Sequence, residues 1–159
     1  MKHSLVTVEL DEVQNIHWNE DIRRERLAAI SDLLQENSFK VLSAPEAGPY
    51  HLKLALLEGR LQMDIHGIEG EQVEDLRLPL SPFRSLIKEY FAVCEAYFTA
   101  VRRQHPGELE TIDMGRRGLH NDGAALLQER LADRVDVDLE TARRLFTLVC
   151  VLNLREMAR

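Results

Sequence analysis

Side chains able to bind anions or move protons are densest in the segment Gly115–Gly123 and at the aspartate two residues before it. The polar residues concerned are Asp113, Arg116, Arg117, His120, Asn121 and Asp122. Backbone N–H groups at the start of a helix attract negative charge, and arginine binds carboxylates and phosphates through paired hydrogen bonds. If Asn121 or Asp122 caps a helix that begins here, its free N–H groups lie beside both arginines. The segment is therefore a candidate site for a phosphorylated or carboxylate small molecule.

The same segment also has a plain structural interpretation. Glycine together with Asn and Asp is the usual composition of a turn that joins two helices. Adjacent arginines also occur elsewhere, at Arg23-Arg24, Arg102-Arg103 and Arg143-Arg144. The glycine spacing matches neither a Walker motif nor a dinucleotide-binding motif. His120 with Asp113 or Asp122 could supply acid or base chemistry if these side chains converge, but no pattern assigns a catalytic residue or a cofactor. Both interpretations expect a turn between two helices.

A pair of histidines is a second candidate. His51 and His66 face each other across a predicted hairpin, with Asp64 nearby, and facing histidines can chelate zinc. Such residues also form ordinary solvated sheet faces, and the spacing specifies no third ligand. We therefore predict no metal site.

A third candidate is the pair of helices predicted at 124–134 and 139–152, which has the length of a DNA-binding helix-turn-helix. Arg143 and Arg144 would lie on its second helix. Acidic residues stand at the end of that helix that would approach the groove of DNA, and they would repel phosphate. These residues are Asp136, Asp138 and Glu140. We predict no nucleic-acid binding.

The elements that must position these residues are clearest at a β-hairpin. Two stretches alternate in hydrophobicity on either side of Glu58-Gly59, the composition of a two-residue turn. That turn puts apolar residues opposite each other at every position of one face, so turn geometry and burial require the same register. The pairs are Leu56 with Leu61, Leu54 with Met63 and Leu52 with Ile65. The register also places Lys53 opposite Asp64, a favourable charge pair.

The remaining pattern divides the chain into a strand-rich half, 1–80, and a helical half, 81–159. A strand near 6–10, a helix from the cap Asn19 to about Asn37, and a third meander strand with a bulge near Glu74-Asp75 complete the first half. Helices then start at Ser81-Pro82 and, through the cap Asp138, at 139, and His105-Pro106-Gly107 ends the first of these. We predict a single α+β domain, with a small antiparallel meander of about four strands packed against about four helices.

Composition bounds the class of protein. The chain has 159 residues, a formal net charge of −7, 45% hydrophobic residues and 30% charged residues. These values exclude a disordered chain and a disulfide-rich mini-protein, and they disfavour general binding to phosphates or anionic membranes. Cys94 and Cys150 lie in apolar helical patterns typical of reduced core thiols. We expect a cytoplasmic protein without a membrane segment.

The stretch Leu145–Leu154 is apolar almost all round but far shorter than the roughly 20 residues that span a bilayer. A helix of this kind is buried on several sides, either inside the fold or between subunits. In a chain this short, we expect a homodimer formed through this helix.

Several stretches resemble one family of small alphaproteobacterial proteins, uncharacterised protein family 0262. They are Glu36–Phe39, Gly48–Tyr50, Ile112–Asn121 and Thr141–Leu152. The resemblance implies a bacterial cytoplasmic protein and brings no assigned activity. We predict a non-catalytic binding or assembly protein, and the alternative is an enzyme or sensor that holds an anionic ligand at Gly115–Gly123.

Overall fold

The computed structural model describes residues 2–11, 20–103 and 106–153. The strands are β1 (Leu5–Leu10), β2 (Phe39–Val41), β3 (Tyr50–Leu57), β4 (Arg60–His66), β5 (Gln72–Pro79) and β6 (Val135–Val137). The helices are α1 (Glu20–Gln35), α2 (Arg84–Arg103), α3 (Pro106–Leu131) and α4 (Leu139–Leu152), and a 3-10 turn at Ser81–Phe83 precedes α2. The α+β class and the number of helices are as predicted.

The predicted hairpin is confirmed in every pair of β3 and β4. Glu58 and Gly59 both have positive φ angles, 52° and 77°, as a type I′ turn requires. The apolar face of the hairpin is buried except at Leu56, which is half-buried, and the other face carries the cross-strand pairs His51–His66 and Lys53–Asp64.

The main sheet differs from a simple meander at its first strand. Its strand order is β1-β3-β4-β5, and β1 pairs with β3 in parallel, so the sheet is mixed. The chain reaches β3 from β1 by way of α1 and β2, a long connection of the kind that parallel strands need. The bulge on β5 lies at Val73, one residue before the predicted place, because Gln72 faces His66 while Glu74 faces Ile65.

A second, unpredicted sheet joins distant parts of the chain. β2 and β6 form a two-stranded antiparallel ladder, with Phe39 opposite Val137 and Val41 opposite Val135. All four side chains are buried. This ladder ties the segment after α1 to the connection between α3 and α4.

The predicted turn at Gly115–Gly123 is wrong, because α3 runs without a break from Pro106 to Leu131. Glycine weakens a helix by only about 1 kcal/mol relative to alanine, and packing on both sides of α3 outweighs that cost. At Gly123 the missing side chain is required: a Cβ there would lie 2.5 Å from the Phe146 ring. The predicted end of a helix at His105-Pro106-Gly107 stays a prediction, because residues 104 and 105 lie outside the described residues; Pro106 and Gly107 belong to α3.

The last helix, α4, lies inside the fold. Residues 145–152 are between 0 and 9% exposed and pack against α1, α2 and α3. Its start is as predicted, since the Asp138 carboxylate accepts a hydrogen bond from the Thr141 N–H (2.9 Å). The apolar surface of α4 is thus covered within one chain, so it no longer argues for a subunit interface. The homodimer stays a prediction.

Two predicted features of other helices are corrected or fall outside the described residues. On α1, the apolar side chains of Leu27 and Leu34 lie at the surface, where they are 54 and 39% exposed. The 3-10 turn before α2 has Leu80, not Ser81, in its capping position. The cap Asn19 lies outside the described residues, as do His105 and Leu154.

Candidate functional site

A solvent-open groove of about 360 Å³ lies between α1, α3 and α4. Each helix contributes four residues spaced i, i+3, i+4 and i+7, so each presents one face to the groove. The lining is Glu25, Ala28, Ala29 and Asp32 from α1, Asp113, Arg116, Arg117 and His120 from α3, and Glu140, Arg143, Arg144 and Thr147 from α4. Ala28 and Ala29 have short side chains, so α1 projects little into the groove at these positions, and all the other lining residues are polar or charged.

Four of the six predicted site residues meet in this groove, and two do not. Asp113, Arg116, Arg117 and His120 share one face of α3. The expected helix start beside the arginines does not exist there, because these residues are inside a helix and their N–H groups serve its ladder. Asn121 is exposed, and Asp122 lies in a separate depression between α2 and α3, since a helix turns by about 100° per residue.

Sequence reasoning missed the α4 wall of the groove. Arg143 and Arg144 were considered only as a common pair and as part of a DNA-binding motif. A signal was present in the sequence, because 140, 143, 144 and 147 repeat the spacing of 113, 116, 117 and 120 with arginines at the same two positions. Residues at this spacing lie on one face of a helix, and two helix faces that carry polar residues in the same pattern can line one groove.

The innermost ion pair joins Arg116 to Glu25. Their side chains are 22 and 12% exposed, and the Arg116 guanidinium also lies 5.0 Å from the centre of the Tyr97 ring. Burial raises the pKa of Glu25 above its ordinary value, against the opposing effect of the Arg116 charge. Both partners are held tightly, so this pair forms part of the wall.

The other groove arginines are held less completely. Arg117 pairs with Asp113 at 2.9 Å and is 71% exposed. Arg143 and Arg144 share one carboxylate, Glu140, at 3.2 and 3.8 Å. The Nε atom of Arg143 is buried and has no hydrogen-bond partner among the residues that the structure describes. The α4 wall therefore holds two guanidinium groups against a single acid, with donors left over.

His120 links the α3 and α4 walls. Its Nδ1 lies 2.9 Å from the carbonyl oxygen of Arg116, so Nδ1 carries the proton, and its Nε2 lies 3.1 Å from the Thr147 hydroxyl. The ring packs edge-on against Tyr90 and Phe146. Burial lowers the pKa of His120, and the charges of neighbouring arginines act in the same direction. The imidazole is neutral at pH 7, and both of its nitrogens are engaged.

Comparison with known proteins places the chain in a family. A family model described as an uncharacterised protein family, UPF0262, matches residues 2–155. The chain belongs to UPF0262. This confirms the resemblance found in the sequence.

UPF0262 relatives are similar over almost the whole chain. A UPF0262 protein of Xanthobacter autotrophicus is 51% identical over 149 residues, which cover 94% of this chain and 91% of the relative. One from Cereibacter sphaeroides is 50% identical over 150 residues (92% and 95%), and one from Rhodospirillum rubrum is 48% identical over 151 residues (95% and 92%). No solved structure matches the chain.

The histidine pair of this UPF0262 chain is held by its neighbours on the sheet. His51 Nδ1 lies 2.7 Å from the Thr7 hydroxyl, and His66 Nε2 lies 3.4 Å from the Asp64 carboxylate. Among the residues that the structure describes, no group of three His, Cys, Asp or Glu side chains is placed to hold a metal ion.

The two helices considered as a DNA-binding motif are not joined by a tight turn, because β6 occupies their connection and pairs with β2. Both cysteines are buried and free, as predicted. Within residues 2–11, 20–103 and 106–153, no helix has the length and hydropathy needed to cross a bilayer.

Proposed function

We propose that this UPF0262 protein binds a small molecule through a carboxylate or phosphate group, which is held by Arg143 and Arg144 in the groove. The observation that carries the proposal is the sharing of Glu140 by these two arginines, together with the buried Nε of Arg143, for which no described residue is a hydrogen-bond partner. A buried donor without a partner costs about 1–3 kcal/mol. Because that Nε is closed to solvent, an anionic oxygen would bind instead to the exposed part of the two guanidinium groups, whose side chains are 30 and 29% exposed.

The electrostatics of the α4 wall favour such a group. The side chains of Arg143 and Arg144 are 30 and 29% exposed, so their charges are screened less than those of free surface arginines. Glu140 is 58% exposed and lies at the rim. A ligand carboxylate can therefore replace Glu140 as the partner of the two arginines, since the displaced Glu140 carboxylate can be solvated by water.

A binding role fits this geometry better than catalysis. His120 is the neutral base of the groove, but the Arg116 carbonyl and the Thr147 hydroxyl engage its two nitrogens. A general base needs a free nitrogen within hydrogen-bond reach of the substrate proton. We therefore infer that His120 holds α3 and α4 together, and that the protein senses or carries its ligand. The cytoplasmic location expected from the sequence belongs to this proposal, because buried free thiols suit a reducing compartment.

Thermal unfolding with added anions tests the proposal. Inorganic phosphate or succinate at about 100 times its Kd should stabilise the protein by about 2.7 kcal/mol. For a chain of this size, that corresponds to a rise in Tm of roughly 5–11 °C. The double variant Arg143→Gln/Arg144→Gln should lose the response. Arg130→Gln, an exposed arginine on α3 away from the groove, is the matched control and should keep it.

A second measurement separates binding from general salt effects. Calorimetric titration should show saturable binding of the same anions to the wild type, weakened at least about tenfold in the double variant. Equal stabilisation of the wild type and the double variant by every anion, with no saturable heat, would refute the proposal.

A further inference from the structure

The charges of the groove are divided between its walls. The α1 wall contributes two acids, Glu25 and Asp32, and no base. The α3 and α4 walls each contribute two arginines and one acid. With His120 neutral, the lining has no net formal charge, but it has an acidic side and a basic side.

Pairing within the groove leaves one charge of each sign. Glu25 is neutralised by Arg116, and Asp113 by Arg117. Glu140 neutralises one of the two arginines of α4 and leaves one positive charge there. On α1, Asp32 is exposed, and no described Lys or Arg nitrogen lies within ion-pair distance of it. The unmatched charges therefore lie on two different helices that line the same groove.

A ligand with negative charge alone fits this arrangement poorly. Its anionic group would gain the α4 arginines, but the Asp32 carboxylate would face it in a partly desolvated groove. A cationic group on the same ligand would turn that repulsion into an ion pair. The cavity, about 360 Å³, is near the small end of the roughly 300–1,000 Å³ range of ligand sites.

We propose that the ligand is a small zwitterion of the amino-acid class, whose carboxylate binds Arg143 and Arg144 and whose ammonium group binds Asp32. This inference rests on the proposed function, because it uses the same anion site. It adds Asp32 as the residue that determines specificity. The ligand bridges α1 and α4, and its two charges complete the charge pairing of the groove.

The test is a calorimetric titration with two matched series of compounds. One series is the ω-amino acids from glycine to 6-aminohexanoate, and the other is the simple carboxylic acids of the same carbon number. At the chain length that spans the groove, the amino acid should bind the wild type roughly threefold to tenfold more tightly than its acid. Because the series varies the spacing of the two charges, the result does not depend on guessing that distance.

Variants identify the source of the preference. Asp32→Asn should bring the affinity for the amino acid down to that of the acid, and should leave the acid's affinity unchanged or tighter. Asp122→Asn makes the same charge change on the far side of α3 and should leave both affinities unchanged. Circular dichroism checks that both variants are folded, which the exposure of both aspartates favours.

The outcomes separate this inference from the proposed function. If the acids bind but no amino acid binds more tightly, the zwitterion is refuted and the anion site stands. The same conclusion follows if the preference persists in Asp32→Asn. If neither series binds, and phosphate and succinate also fail, both proposals are refuted.

Discussion

Replacing Gly123 by alanine tests the contact that sets the distance between α3 and α4. The new Cβ would lie 2.5–2.6 Å from three atoms of the Phe146 ring, and ordinary contact begins at 3.4 Å. One side must therefore move by about 0.9 Å, in a place where Phe146 is fully buried. Overpacking of this kind costs about 1–3 kcal/mol, against a gain of about 1 kcal/mol from the better helix former. Because three atoms of a buried ring are involved, we expect a cost in the upper part of that range, about 2–3 kcal/mol, and thus a net loss of about 1–2 kcal/mol.

Gly118→Ala is the matched control on the same helix. A Cβ at Gly118 meets no heavy atom within 4 Å, so only the helix propensity changes. Alanine should therefore stabilise the protein by about 0.5–1 kcal/mol. The two substitutions are chemically identical and five residues apart, yet the structure requires effects of opposite sign.

The assay is thermal unfolding followed by far-ultraviolet circular dichroism. At about 2–4 °C per kcal/mol, Gly123→Ala should lower Tm by roughly 2–8 °C and Gly118→Ala should raise it by roughly 1–4 °C. A fall in Tm for Gly118→Ala would mean that this segment is a turn rather than a helix. An unchanged Tm for Gly123→Ala would mean that α3 and α4 do not touch there. The first result would refute the continuous α3, and the second would refute its contact with α4.

Two further predictions concern stability. Asn37→Ala should lower the free energy of unfolding in urea by about 2–3 kcal/mol, because the Asn37 side chain hydrogen-bonds the N–H and the carbonyl of Leu5 and a carbonyl in α1. A smaller loss than that of the exposed Asn121→Ala would contradict this structural role of Asn37. Burial lowers the pKa of His120 below its ordinary value of 6.5, so the unfolded chain takes up this proton first as pH falls. When the pH falls from about 7.5 to about 5.5, the Tm of the wild type should therefore drop more than the Tm of His120→Gln. Parallel curves of Tm against pH for the two proteins would contradict this prediction.

Local signals made the hairpin predictable. The turn at Glu58-Gly59 and the alternation beside it act within a few residues, and both specify one register. The Asp138 cap is local in the same sense. Each depends on the chemistry of neighbouring residues, which tertiary packing did not override.

Long-range contacts decided what the sequence could not show. The strands β2 and β6 have three residues each, too few for periodicity, and they pair across nearly a hundred residues. The glycines of α3 resemble a turn because a sequence does not reveal that Phe146 packs against Gly123. The groove was only partly predictable for the same reason. Its α3 residues form a cluster that is visible in the sequence, but only the fold brings that face of α3 together with α4 and α1.

The wide separation of the groove's three walls along the chain has a consequence for synthesis on the ribosome. Glu25 is made 115 residues before Glu140, an interval of roughly 6–23 s at about 5–20 residues per second. During that time the apolar side of α1 (Ile22, Ala29 and Leu33) has no α4 to cover it. This apolar side of α1 therefore stays uncovered on the nascent polypeptide until α4 has been made.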